Sequence, residues 1–190
     1  MDFIWRQLFW ELNRNSLLKR KTPLRPPQTR KHIDRTNGFS LHYPADWAPT
    51  EANEEVTKFL IVSPSGNRCW VIVVPNPLST GANAKSIVQS LIRNKSLIEE
   101  EFRKTYADAY VSSVRPVLMS GKNDAALLSY SLQYNAFDIS AVIAVLEAHI
   151  PVQGFTYKVG CSTVGETLSD EFRSGSTIVF RSFVFIPKSD

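Results

Sequence analysis

The segment Arg68–Val74, with the sequence RCWVIVV, constrains the fold more than any other part of this chain. Successive side chains of a strand point to opposite faces, and both faces of this segment are apolar. One face carries Trp70, Ile72 and Val74, and the other carries Cys69, Val71 and Val73. A strand that is apolar on both faces needs a covering layer on each side. The sequence therefore predicts a central strand with helices on both sides of the sheet.

Further strand-like segments follow along the chain, and most of them are joined by short turns. Alternating apolar side chains predict strands at Gly38–Pro44, Val56–Ser63, Tyr110–Met119, Ala125–Tyr134, Ile139–Ile150 and Phe155–Ser162. Helices are predicted over Asn83–Tyr106, with a break near Asn94–Lys95, and from Glu166 onward. Because the last four strands are consecutive, we expect an antiparallel meander. The fold class is then α+β, with a curved antiparallel sheet covered by helices.

Helical spacing within Asn83–Tyr106 assigns its side chains to two faces. The apolar residues expected to point inward are Ile87, Leu91, Leu97, Ile98 and Phe102. The acidic run Glu99–Glu101 precedes Arg103 and Lys104, and we expect it to form a solvated face of the helix.

Residues 1–15 predict an amphipathic helix with a large aromatic surface. At 100° per residue, Ile4, Trp5, Leu8, Phe9 and Leu12 share one stripe, while Phe3 and Trp10 lie on the other side. Aromatic side chains beside basic ones suit an anionic membrane surface or a groove of a partner protein. The alternative is that the helix packs on its own domain. We expect these seven residues to bind a partner or a membrane.

Residues 16–37 predict a basic, proline-rich linker. Pro23, Pro26 and Pro27 favour an extended chain. The expected basic contact residues are Lys19, Arg20, Lys21, Arg25, Arg30, Lys31 and Arg35. Nine basic and three acidic residues give residues 1–36 a net charge of +6, whereas residues 37–190 carry −2. The linker is either simply solvated or contacts lipid phosphates, nucleic acid or an acidic protein. Nucleic acid is disfavoured, because His32 is the linker's only base-stacking residue.

The segment that opens the body of the chain resembles the start of PsbP-like domains. It reads Gly38-Phe39-x-Leu41-x-x-Pro44-x-x-Trp47. Phe155-Thr-Tyr157 is similar to a late strand of that family, and Ser162–Glu171 with Ser182-Phe183 is similar to its closing helix and terminal motif. The resemblance implies the α-β-α sandwich shared by PsbP, an extrinsic photosystem subunit, and a Ran-binding protein. It also implies a binding module without catalytic activity, since most members are of that kind.

These segments divide the chain into residues 1–15, 16–37 and 38–190, the last being a PsbP-like domain. Residues 38–190, in a chain that is 43% apolar, are enough to form one domain with a hydrophobic core. No residues match a Ran-binding site or a manganese or calcium site of the family, so the resemblance assigns no functional residue to this sequence.

A search for catalytic and metal-binding patterns identifies no site. His32, His42 and His149 have no cysteine or histidine at the spacing of metal ligands. The segment Thr80–Ser86 is not a phosphate loop, because Ser79 and Ala84 stand at the two positions where that loop needs glycine, and no nucleophile elbow is present. We therefore expect a protein that is not an enzyme, with no catalytic residues, no metal and no cofactor, and the sequence identifies no small-molecule substrate.

Cys69 and Cys161 are far apart in the sequence and have no partner spacing. Polar residues interrupt the first 18 residues, so no export signal is recognisable, and no segment reaches the ~18 apolar residues of a membrane-spanning helix. We expect a protein in the cytoplasm or peripheral on the cytoplasmic face of a membrane, with organellar import left open. Both cysteines are then expected to be buried and reduced, and a disulfide stays open for an oxidising compartment.

These observations predict a non-catalytic accessory or assembly subunit of a larger, membrane-associated protein complex. The PsbP-like body would dock onto protein subunits of that complex, and the helix and linker would attach it. The alternative is a stand-alone cytosolic module that binds a regulatory protein or a small molecule.

Overall fold

The computed structural model describes residues 28–52, 55–76, 82–120, 123–136, 139–152, 154–165 and 168–187. The predicted N-terminal helix and most of the predicted linker lie outside these residues. The strands are β1 Thr29–Asp34, β2 Phe39–Pro44, β3 Ala48–Pro49, β4 Thr57–Val62, β5 Arg68–Pro75, β6 Asp108–Met119, β7 Asn123–Ala136, β8 Ile139–Val152, β9 Phe155–Val164 and β10 Val184–Phe185. The helices are α1 Ala84–Arg93, α2 Lys95–Arg103 and α3 Asp170–Ser182.

A seven-stranded antiparallel sheet, in the order β3-β4-β5-β9-β8-β7-β6, organises the described residues. β6 to β9 follow one another as a meander, and β9 then pairs with β5. This arrangement confirms the α+β class, the large antiparallel sheet and the predicted meander. A second sheet, in the order β1-β2-β10, is smaller.

The larger hydrophobic core lies against one face of the seven-stranded sheet and includes side chains of α3 and the smaller sheet. Its most enclosed large side chains are Trp47, Tyr157, Phe39, Phe172 and Phe183. On the opposite face, α1 and α2 pack on β6, β7 and β8. There Phe102 stacks on Tyr130 with ring centroids 4.9 Å apart.

The two faces of β5 are not buried to the same extent. Cys69, Val71 and Val73 are buried in the larger core. Trp70 and its neighbours on the other face are only half-buried, because α1 and α2 lie over β6 to β8 and not across β5. The expectation of helices covering both faces of this strand is therefore wrong for the face that carries Trp70.

The predicted break between two helices is confirmed at Asn94, but two of the face assignments are wrong. Leu97 is 63% exposed, because Ile98 and Phe102 form the inward side of α2. The side chain of Glu99 is only 13% exposed. It accepts a hydrogen bond from the backbone N–H of Val111 at 2.8 Å, so it does not belong to a solvated face.

The prediction that the linker continues to Asn37 is wrong from Thr29 onward, because Thr29–Asp34 forms β1 and pairs antiparallel with β2. Asp34 closes the turn between the two strands by accepting hydrogen bonds from the backbone and side chain of Asn37 at 2.8 and 2.7 Å. Gly38 follows with φ at 73°, a conformation that glycine adopts at little cost. The folded body therefore begins at or before β1, and not at residue 38.

The cysteines form a disulfide between Cys69 of β5 and Cys161 of β9, and the expectation of two reduced thiols is wrong. The two residues are direct partners in the β5–β9 pairing, with Cα atoms 4.0 Å apart. Because 92 residues separate them in sequence, only the pairing of two distant strands brings the sulfur atoms together.

Candidate functional site

β1 is the outer strand of the small sheet, and among the described residues it pairs with β2 alone. An edge strand leaves one row of backbone N–H and C=O groups for water or for a strand of another chain. Addition of an extended segment to such an edge is a common mode of recognition between proteins. β1 therefore offers a surface on which a partner can pair.

Three of the predicted basic contact residues lie together at this edge. Arg30 and Lys31 belong to β1, Arg35 begins the turn after it, and all three side chains are exposed. Ile33, between them, is 47% exposed. We call Arg30, Lys31, Ile33 and Arg35 the basic edge.

The remaining predicted binding residues lie outside the described part of the chain. The basic ones are Lys19, Arg20, Lys21 and Arg25. The apolar ones are Phe3, Ile4, Trp5, Leu8, Phe9, Trp10 and Leu12. The structure therefore gives the positions of three members of the predicted contact set, and the contact role of every member stays a prediction.

His32 anchors the basic edge to the body. Its ring stacks on Phe59 of β4, with centroids 3.9 Å apart and planes inclined at 21°, and it also lies 5.7 Å from the ring of Phe39. Burial lowers the pKa of His32, and the nearby Asp34 carboxylate only partly opposes this effect. The ring faces Phe59, so it is not presented to a nucleic-acid base.

A second polar group, centred on Glu147 of β8, was not identified from the sequence. The Glu147 carboxylate lies 2.7 Å from Nε2 of His149, accepts a hydrogen bond from Nε1 of Trp70 at 3.3 Å, and lies 3.9 Å from Nζ of Lys158. Burial alone would raise the pKa of Glu147. The hydrogen bond and charge of His149, the charge of Lys158 and the hydrogen bond of Trp70 outweigh burial and lower it.

The Glu147 cluster has a structural explanation. A buried carboxylate with several hydrogen-bond and charge partners is stable in its ionised form. The only signal in the sequence was the two-residue spacing of Glu147 and His149, which places both side chains on one face of a strand. The interpretation of His149 as a structural histidine agrees with its buried contact to Glu147.

The described residues contain no group of three or more histidine, cysteine, aspartate or glutamate side chains arranged to hold a metal ion. They also contain no helix whose length and hydropathy would let it cross a membrane.

Comparisons with known proteins identify the fold. No family model and no curated protein sequence matches this chain. A crystal structure from Bacteroides thetaiotaomicron is similar over 86% of this chain, with 13% identity and a TM-score of 0.57, although this chain spans only 50% of that protein. LpqN, described as involved in cell envelope biogenesis of Mycobacterium tuberculosis, matches at 15% identity over 87% of this chain and 90% of LpqN, with a TM-score of 0.46.

The solution structure of cyanobacterial PsbP from Synechocystis sp. PCC 6803 matches along almost its whole length. The alignment covers 90% of this chain and 99% of the cyanobacterial protein, with 14% identity and a TM-score of 0.56. At this identity the similarity concerns the fold alone. The chain therefore has the PsbP-like fold that the motif from Gly38 to Trp47 predicted.

Proposed function

We propose that this chain is a non-catalytic accessory or assembly subunit that docks onto a larger, membrane-associated protein complex. The basic edge is the observation that carries the proposal. It joins three exposed cations and a half-exposed isoleucine to an edge strand in the body of the protein. The PsbP-like fold supports a binding role, because the family resemblance implies modules without catalytic activity.

The chemistry of the basic edge favours a partner that is acidic and extended. Backbone pairing along β1 would supply directional hydrogen bonds, and Arg30, Lys31 and Arg35 would pair with carboxylates beside the added strand. Exposed ion pairs are individually weak, so the attachment needs a second contribution. Residues 1–27, which hold the predicted aromatic helix, are the proposed source of that contribution, acting in series with the basic edge.

Co-purification from the native source in gentle detergent tests this proposal. One variant lacks residues 1–27 and keeps β1. A second carries Arg30→Gln, Lys31→Gln and Arg35→Gln. The matched control carries Lys85→Gln, Arg93→Gln and Lys104→Gln, which remove three exposed cations elsewhere. We expect each of the first two variants to lose roughly tenfold in recovered partner, with the control unchanged.

Salt separates the two contributions. Raising the ionic strength weakens exposed charge pairs, so partner recovery through the basic edge should fall at high salt. The part of the loss on deletion of residues 1–27 that comes from burial of the aromatic helix should persist in high salt, since apolar burial does not depend on screening. The part that comes from Lys19, Arg20, Lys21 and Arg25 should be screened as the basic edge is. Full recovery with both the deletion and the triple substitution would contradict the proposal and favour the stand-alone binding module.

A further inference from the structure

The backbone groups on the free edge of β1 can be assigned residue by residue from the hydrogen bonds of β2. The N–H of Ala45 donates to the carbonyl oxygen of Gln28 at 2.9 Å, in the register of the β1–β2 pairs. Hydrogen-bonded and non-hydrogen-bonded positions alternate along an antiparallel pair. The β1 residues whose backbone groups point toward β2 are therefore Arg30, His32 and Asp34. The N–H and C=O groups of Lys31 and Ile33 point the other way, to the outer edge.

A hydrogen bond on the other side of β2 agrees with this assignment. The carbonyl oxygen of Gly38, directly before β2, accepts from the N–H of Ile186, directly after β10, at 3.0 Å. Even-numbered residues of β2 thus direct their backbone groups to β10, and odd-numbered residues direct theirs to β1. The register pairs the odd-numbered residues of β2 with the even-numbered residues of β1. The groups that point outward on β1 therefore belong to its odd-numbered residues.

The side chains of Lys31 and Ile33 lie on the face of β1 that points away from the body. His32, between them, is paired with the buried Leu41 and stacks on Phe59. Because successive side chains of a strand alternate between its faces, Lys31 and Ile33 take the opposite face. Both are exposed, Ile33 by 47%. The same two residues therefore offer free backbone groups and accessible side chains.

The positive charge of this edge is not neutralised within the described part of the chain. Arg30 and Lys31 are exposed, and neither forms an ion pair with a described carboxylate. Charges on an edge strand can serve only to discourage aggregation, but an exposed isoleucine beside them works against that role. Charge complementarity favours acidic side chains opposite the two cations, and Ile33 favours an apolar side chain opposite itself.

We propose that β1 binds an extended segment of a partner protein in the antiparallel orientation, and that this segment reads apolar, any residue, acidic, acidic from its N-terminal end. The apolar residue lies opposite Ile33, the first acidic residue opposite Lys31 and the second opposite Arg30. Antiparallel pairing is slightly more stable per residue than parallel pairing, and directly opposite side chains are close enough to interact. The pattern rests on the proposed docking function, since it describes the segment that would occupy the same edge.

NMR titration of the isotope-labelled full-length protein with the synthetic peptide GSTITEETSG tests the pattern, which this peptide contains once as ITEE. Wild type should bind saturably, with shifts of the backbone amide signals of Lys31 and Ile33. Lys31→Glu should weaken binding by roughly fivefold, because it sets like charges opposite each other. The matched control is Arg68→Glu, which reverses an exposed cation of β5 and should bind as wild type does.

Methylation of single peptide nitrogens tests the strand pairing itself. In the proposed register the N–H of the first glutamate points to β1, and the N–H of the second points away. Methylation of the first nitrogen should weaken binding by roughly tenfold, because it removes a hydrogen bond. Methylation of the second should change binding little. Replacement of the peptide isoleucine by serine should weaken binding to wild type by roughly threefold and binding to Ile33→Ser much less.

Absence of saturable peptide binding, or equal affinity of the two methylated peptides, would overturn the proposed pattern. So would binding to phosphatidylglycerol vesicles, but not to the peptide, that is lost with the triple substitution of Arg30, Lys31 and Arg35, because the basic edge would then contact lipid. The docking function fails separately. Peptide binding as described, with unchanged partner recovery by the triple variant, would refute docking through this edge and leave the peptide specificity intact. Loss of partner recovery without peptide binding would do the reverse.

Discussion

At the scale of single residues, His32 lies on β1 between residues of the basic edge, and its packing contributes to the stability of the fold. Its ring stacks on Phe59, and its Nε2 atom is buried without a hydrogen-bond partner among the described residues. Burial therefore disfavours the charged imidazolium, and the pKa of His32 lies below its ordinary value of 6.5. Asp34, on the same strand, acts in the opposite direction and is the smaller influence.

This lowered pKa predicts an acid-sensitive contribution to stability. A group whose pKa is depressed by folding stabilises the native state above its unfolded pKa, and this stability is lost as the pH falls through the folded pKa. The free energy of unfolding should therefore decrease below about pH 6.5. His32→Phe keeps a stacking ring without titrating and should abolish this decrease, as measured by urea unfolding between pH 7.5 and about 5.

Substitution of an exposed histidine on the adjacent strand provides the control. His42→Gln should retain the wild-type pH profile, because the side chain of His42 lies on the exposed side of β2. If His32→Phe followed the same pH profile as wild type, burial of His32 would not be the source of the acid sensitivity. The loss of stability expected below pH 6.5 is also separate from any loss due to Glu147. The lowered pKa of Glu147 affects stability only below the ordinary value of 4.5 for this group.

At the scale of elements, α3 contains a glycine whose replacement by alanine should destabilise the protein, because an aromatic side chain packs directly against it. Gly175 lies in the middle of α3, where glycine is ordinarily unfavourable by about 1 kcal/mol relative to alanine. Here the ring of Trp47 lies directly against the helix, and a Cβ atom at Gly175 would come within 2.3 Å of it. Trp47 is almost completely buried, so its ring has little room to move.

Gly175→Ala should therefore destabilise the protein, although propensity alone predicts the opposite. We expect a loss of about 1–3 kcal/mol, the usual range for overpacking a core, measured as the free energy of unfolding in urea. Ser174→Ala is the matched control, since Ser174 is the exposed neighbour on the same helix and should be neutral or slightly stabilising. Equal stability of the two variants would show that Trp47 can move aside at no cost.

The elements also show where sequence reasoning succeeds and where it fails. The strands of the meander were predictable because alternation is a local property of each segment. The sequence of β1, TRKHID, does not predict a strand because it contains a single aliphatic side chain, and an edge strand needs few apolar residues. Spacing wrongly predicts an inward Leu97, because it gives the periodicity of a helix but not the side from which the sheet packs against it.

At the scale of the whole molecule, β1 places the start of the folded body at or before residue 29, and not at residue 38. The segment proposed to attach the protein to its partner is correspondingly shorter. Residues 29–34 contribute a strand and the His32–Phe59 stack. The disulfide between β5 and β9 reinforces the same body. Closing a loop of 92 residues restricts the unfolded chain, and the chain-entropy account gives about 4–5 kcal/mol for a loop of that length.

This boundary predicts different outcomes for two truncations. Removal of residues 1–27 should leave a body whose thermal unfolding midpoint is close to that of the full chain. Removal of residues 1–36 deletes β1, uncovers Phe59 and leaves the edge of β2 without its partner. It should lower the midpoint by several degrees, about 4 °C or more for each 2 kcal/mol lost in a domain of this size. Equal midpoints for the two truncations, measured by circular dichroism, would contradict this account of β1.

The sequence by itself determined the α+β class, the meander, the helix break at Asn94 and the PsbP-like resemblance. All of these depend on periodicity or short motifs within continuous segments. Only the tertiary structure decided the Cys69–Cys161 bond, the partners of Glu147 and the stacking of His32. Each of these joins residues that are distant in sequence or belong to different elements. Their positions depend on which strands pair and on how the helices lie across the sheet, and local patterns do not encode this information.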